Sequence, residues 1–165
     1  MKVLTTILSV ALLLFLISGC SALDSGRPMP TRRLEPILPD SFGEYKQVNT
    51  VRNAGGPPVS QVTGIYKTGK TGDDGEIRIV IEDWGATKNS PRLPVDKNAN
   101  NIEYRGYRWY PGTMSGSKAY QIRVPISDRL MLRIEWEEVT FIKETEVLDA
   151  IKWDYIEKIS PKKPS

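Results

Sequence analysis

Three stretches of strict period-two alternation constrain this chain more than any other feature. In Glu76–Asp83, EIRIVIED, the residues Ile77, Ile79 and Ile81 fall on one side and Glu76, Arg78 and Glu82 on the other. Leu130–Glu137 repeats the pattern, with Leu130, Leu132, Ile134 and Trp136 against Arg133, Glu135 and Glu137. Tyr120–Ile126 does so again through Tyr120, Ile122, Val124 and Ile126. Successive side chains of a strand point to opposite faces, so these are half-buried β-strands and not helices. Pro125 lacks an N–H and belongs at a strand end or a sheet edge. Ser127-Asp128 supplies a turn, which makes the last two strands a hairpin.

The rest of the chain fits around these strands. Glu44–Val51 and Ser60–Thr68 read as strands of weaker pattern, separated by the break Gly55-Gly56-Pro57-Pro58. In Ile102–Tyr110 the apolar parity switches at Gly106, as a bulge would switch it. Ala86–Asn101 has no period and holds Pro91 and Pro94, so it reads as a loop. Leu148, Ile151, Tyr155 and Ile159 recur at helical spacing from Phe141 or Ile142 onward, with a break near Trp153, and Pro161 ends the helix. The fold predicted is α+β, an antiparallel sheet of about five to six strands with one C-terminal helix packed on it. The alternative is a β-sandwich with a terminal helix.

The N-terminus reads as an address. Lys2 precedes an apolar run, Val3–Ile17, which is followed by Ser18-Gly19-Cys20. The run is shorter than the ~20 residues a spanning helix needs and has the three-part form of a secretory signal. Ile17-Ser18-Gly19-Cys20 resembles the lipobox of bacterial lipoproteins. That resemblance implies a signal peptide over 1–19, cut before Cys20, with diacylglycerol on the Cys20 sulfur and acylation of the new amino end. It implies a lipid-anchored location in the cell envelope, and Ser21 points to the outer membrane in a Gram-negative host. Residues 20–40 then form a lipidated, proline-rich tether in which Pro28, Pro30, Pro36 and Pro39 favour extended backbone. Over Asp24–Asp40 it would reach roughly 50 Å; Arg27, Arg32 and Arg33 could touch anionic headgroups, while the plainer reading of a short basic cluster is a solvated spacer. A single domain over 41–160 and a tail over 161–165 complete the organisation.

From Tyr104 onward the chain is similar to the C-terminal half of small uncharacterised bacterial lipoproteins and membrane-anchored domains. Tyr104-Arg105-Gly106-Tyr107, Asp128-Arg129 and the closing helix Val147–Ile159 carry that similarity. It implies a fold and no activity.

The chemistry available is limited. The chain has no histidine and one cysteine, which removes Ser–His and Cys–His nucleophiles, the commonest zinc ligand and any internal disulfide. The formal charge of +3 does not suggest a nucleic-acid binder. Gly64–Thr71, GIYKTGKT, matches the letters of a phosphate-binding loop. It lacks a buried strand before it and a helix after it, and Gly72-Asp73-Asp74-Gly75 terminates structure instead. The match reads as accidental, with Gly69–Gly75 the tip of a hairpin and no nucleotide bound.

Asp73, Asp74 and Glu76 fall short of a calcium loop. Asp83, Glu135, Glu137 and Glu138 are the carboxylates from which a glycan-cleaving pair would have to come. Trp84, Tyr107, Arg108 and Trp109 are the candidates for a partner surface. No cofactor or metal site is implied, and no catalytic residue emerges. The expectation is a non-enzymatic binding or accessory domain, attached to the membrane through lipid on Cys20, with a protein or glycan partner in the envelope. A carboxylate-dependent glycan enzyme and a carrier of an apolar ligand are the alternatives.

Overall fold

The computed structural model describes residues 27–53, 60–70, 75–85, 102–113, 119–137 and 142–160. The segment read as a signal peptide, Cys20, residues 54–59, 71–74, 86–101 and 114–118, Glu138 and residues 161–165 lie outside the described residues.

The chain begins with a helical turn α1 (Thr31–Leu34) and a 3-10 turn (Glu35–Ile37). Eight strands follow: β1 (Ser41–Phe42), β2 (Tyr45–Asn53), β3 (Ser60–Lys67), β4 (Ile77–Asp83), β5 (Ile102–Tyr104), β6 (Tyr107–Thr113), β7 (Ala119–Pro125) and β8 (Leu130–Glu137). Two short helices close the chain, α2 (Glu144–Ala150) and α3 (Trp153–Ile159). All strand pairs are antiparallel, in the order β1-β2-β3-β4-β8-β7-β6-β5. Two four-stranded meanders thus meet at β4 and β8, the two strands with the clearest alternation.

This corrects the predicted architecture. The sheet has eight strands where five or six were expected, and two short C-terminal helices replace one. The described strands form one sheet, so the sandwich alternative fails as well. Two of the extra strands, β1 and β5, have two and three residues, too few to show alternation.

Ile102–Tyr110 is not one bulged strand but a tight hairpin. Arg105 and Gly106 have φ of 50° and 72°, and Tyr104 lies opposite Tyr107. Positive φ at both central residues is the hairpin turn whose twist matches the flanking strands. The parity changes there because the chain reverses. The register irregularity that does occur lies in β2, between Gln47 and Asn49.

The helix breaks at Ile151, whose backbone is extended at φ −61°, ψ 136°. The Trp153 indole N–H donates to the Leu148 carbonyl at 2.6 Å, and the same carbonyl takes the Ile151 N–H at 3.3 Å, so the break is held from both sides.

The core lies on one face of the sheet. Val62, Ile81, Leu132 and Val124 form one row across β3, β4, β8 and β7, all buried. Ile79, Ile134 and Ile122 form the next. Leu148, Trp153 and Ile156 from the helices join them, and so do Leu34, Ile37 and Leu38. These last three overturn the expected tether. Residues 29–40 do not form an extended spacer, because Leu34 and Ile37 are fully buried. Burying each is worth about 1.5–3 kcal/mol, enough to hold the segment on the fold. The folded unit therefore starts well before residue 41.

Polar groups share the other face. Arg133 lies directly opposite Arg123 on β7, a like-charge pair that must be compensated. Arg133 contacts Glu82 at 3.0 Å and Glu135 at 2.8 Å, while Arg123 donates to Gln121 at 3.1 Å.

Candidate functional site

The strongest polar cluster lies at the end of β4. Asp83 continues the parity of Ile77, Ile79 and Ile81 and so turns a charge toward the apolar side, where it is 0% exposed. A buried carboxylate is costly unless it is paired and hydrogen-bonded. Here it is both. Arg129, one residue before β8, donates from Nε to Oδ1 and from Nη2 to Oδ2, each at 2.8 Å. The backbone N–H of Gly85 donates to Oδ1 at 2.8 Å, and that of Met29 to Oδ2 at 2.7 Å. Gly85 has φ 62°, a value glycine adopts without strain, and this lets its N–H turn back on Asp83.

Arg129 reaches further. Its Nη2 also donates to the Arg27 carbonyl at 2.7 Å, and its own carbonyl accepts from Trp84 N at 2.8 Å. Nearby, the Ser127 hydroxyl accepts from Leu130 N at 3.2 Å and lies 3.0 Å from the Ser160 hydroxyl. One ion pair therefore ties together the end of β4, the β7–β8 turn and the point where the N-terminal segment joins the fold. The end of α3 is tied to the same turn.

Four donors occupy the roughly four lone-pair positions of the Asp83 carboxylate. No acceptor site remains for a substrate or a transferred proton, so the geometry is that of a strap. It was missed in the sequence, although a charge at an apolar-parity position was the signal for it.

The other carboxylates are arranged as follows. Leu130 lies opposite Asp83, and Glu135 is five residues further along β8 on the other face. That displacement is about 17 Å along the strand, beyond the roughly 5–9.5 Å of a glycosidase pair. Glu82 and Glu135 are closer in space, but the Arg133 guanidinium sits between them. Glu137 is exposed at the end of β8. Glu76 contacts Arg78 at 2.6 Å and Lys67 at 3.7 Å.

The four candidates for a partner surface are split. Tyr107 and Trp109 are 4% and 7% exposed and face the core, Tyr107 stacking on Trp153 at 5.0 Å. Burial, with Glu157 nearby, raises the Tyr107 pKa. Arg108 is exposed on the opposite side of β6. Trp84 lies just past β4 and donates to Glu82 at 3.3 Å. They do not make one surface.

Within the GIYKTGKT stretch, Gly64 to Lys67 is strand β3. A Cβ on Gly64 would lie 2.8 Å from the Tyr66 ring, which folds back over it. The Tyr66 hydroxyl donates to the Pro39 carbonyl at 2.8 Å. Burial, with the Asp40 charge nearby, holds its pKa well above the ordinary tyrosine value. Lys70 pairs with Glu44.

Among the described residues no group of three or more His, Cys, Asp or Glu side chains could hold a metal ion, and no helix is long and apolar enough to cross a membrane. Comparison with protein-family models, curated proteins and solved structures found no match to this chain.

Proposed function

We propose that this chain is a lipid-anchored accessory domain of the bacterial cell envelope. Acyl chains on Cys20 hold it in the membrane, the outer membrane in a Gram-negative host, and it acts by binding a protein or glycan partner. The observation that carries this reading is the sole cysteine placed at the end of Ile17-Ser18-Gly19-Cys20, directly after a short apolar run. Two or more acyl chains bind a bilayer firmly where one binds marginally. A non-catalytic role fits the carboxylates, since Asp83, Glu82 and Glu135 are all engaged by arginines. A glycan partner would have the half-exposed stack of Tyr120 on Trp136, at 5.8 Å, as its aromatic platform.

Cys20→Ala, expressed in a bacterial host, tests the anchor. The variant should move from the membrane pellet to the soluble fraction, and the wild-type N-terminal peptide should carry the mass of its lipid. A bare Cys20 thiol, or a variant that still sediments with membranes, would end this reading.

A further inference from the structure

We infer that the pole of the fold carrying the Asp83–Arg129 strap is a membrane-facing surface that docks on anionic lipid headgroups. The inference rests on acylation of Cys20 and adds an orientation to it: the domain lies against the bilayer instead of standing off on a long tether.

The first ground is reach. The strap grips the chain at the Arg27 carbonyl and the Met29 N–H. Only seven peptide steps separate Cys20 from Arg27, and these span at most about 25 Å. This pole is therefore the part of the domain that the anchor keeps nearest the lipid. A tether this short makes further contacts with the surface effectively intramolecular.

The second ground is charge. Arg27 and Arg32 are exposed and Arg33 is half-buried. The Arg33 carbonyl accepts from the Tyr155 hydroxyl at 3.2 Å, which sets α1 beside α3. One turn further along α3, Lys158 is exposed, just before Ser160 meets Ser127 of the β7–β8 turn. The backbone segments that carry these four basic residues thus meet at or run toward the strap, and among the described residues none of the four has an ion-pair partner. Their neighbours do: Arg52 is paired with Glu35, and Arg129 with Asp83. Exposed acids stand on the same segments, Asp128 in the turn and Asp154 and Glu157 on α3, so the basic excess of this pole is small and comes mainly from Arg27, Arg32 and Arg33. Guanidinium and ammonium groups without a close ion-pair partner, on the face nearest a bilayer, suit phosphate-bearing headgroups.

Neutron reflectometry of the full lipidated chain in supported bilayers tests the inference. On phosphatidylcholine containing phosphatidylglycerol the domain should sit in contact with the headgroups. On phosphatidylcholine alone, or at high salt, it should rise by up to the tether length. Arg27→Gln, Arg32→Gln and Lys158→Gln should each lower the contacting population about fivefold on the anionic bilayer. The salt series needs no variant and so is independent of folding defects. Equal height on both bilayers, with lipid on Cys20 confirmed by intact mass, would overturn the docking and leave the anchor standing. A bare thiol would overturn both, and cross-links from this pole to a protein in intact cells would assign it to a different partner.

Discussion

Replacing Gly64 with alanine would place a carbon 2.8 Å from Cε2 and from the hydroxyl oxygen of Tyr66, and 3.1 Å from Cζ. The ring has little freedom to retreat. It is fully buried, its hydroxyl is held by the Pro39 carbonyl, and it packs on Phe42 with ring centres 4.9 Å apart. Overpacking of this kind costs about 1–3 kcal/mol. A displaced hydroxyl would leave the Pro39 carbonyl buried without its donor, at a further cost of about 1–3 kcal/mol. Against this, alanine restricts the unfolded chain and recovers about 0.4–1 kcal/mol. The net loss expected is about 3 kcal/mol. In urea, with a slope near 2 kcal/mol per molar, the midpoint should fall by about 1.5 M. The decisive comparison is a cycle with Tyr66→Ala. Once the ring is gone, Gly64→Ala should cost nothing or stabilise slightly, a coupling of about 3 kcal/mol. An unchanged midpoint for Gly64→Ala alone, or equal losses with and without the ring, would refute the packing argument. It would also reopen the question of why the first glycine of GIYKTGKT is a glycine.

The remaining expectations are shorter. Asp83→Asn should destabilise the chain by about 2–4 kcal/mol in urea titration, because it leaves the Arg129 charge without its carboxylate, whereas Asp83→Leu combined with Arg129→Met should lose less than either single change. The Tyr66 and Tyr107 pKa values are both raised in the fold. The folded chain therefore keeps protons that the unfolded chain releases above pH ~10. Stability is full below that pH and falls above it, by up to about 1.4 kcal/mol per pH unit per tyrosine. Tyr66→Phe should flatten that alkaline fall in urea midpoints. Arg105, at φ 50°, is the one non-glycine residue with positive φ among the described residues. Arg105→Asn should raise the midpoint by the equivalent of about 0.5–1 kcal/mol, since asparagine tolerates that conformation better.

The central part of this fold was legible because burial there is one-sided. Ile77, Ile79 and Ile81 state the orientation of β4 outright, and Leu130, Leu132 and Ile134 do the same for β8. Ser127-Asp128 marked the hairpin between β7 and β8 for the ordinary reason that its residues favour turns. The turn between β5 and β6 was misread because arginine is not a residue one expects at positive φ. With no Asn-Gly or Asp-Gly signal, a parity change looks the same whether the strand bulges or reverses. The N-terminal segment was misread because four prolines outweighed an apolar triplet. Leu34, Ile37 and Leu38 stand at i, i+3 and i+4, which is helical spacing, and Pro36 is tolerated in the first turn of the 3-10 helix. Tyr107 and Trp109 lie on one side of β6, and Trp153, far away in sequence, packs against that side and covers it. Pairings such as Arg129 with Asp83 depend on register between strands far apart in sequence, which no local pattern encodes.

The strap gives that long-range register a purpose beyond stability. A buried ion pair is poor evidence of stabilisation, because apolar replacements of similar shape often serve as well or better. What such a pair supplies is geometry. A leucine in place of Asp83 would pack in many ways, whereas a carboxylate with four donors admits one arrangement of β4, the β7–β8 turn and the entering chain. In a domain that floats freely, the direction in which its N-terminus leaves has no consequence. In a domain held by that terminus, the exit point decides which surface faces the lipid and which faces outward. The same cluster, through Met29 N–H and the Arg27 carbonyl, fixes the start of the described chain on the fold. Under the proposed acylation of Cys20, the seven peptide steps from Cys20 to Arg27 span at most about 25 Å and would keep this pole within reach of the headgroups. On that proposal the buried pair and the basic pole would be two halves of one arrangement, the first fixing the angle of attachment and the second meeting the surface that the angle selects.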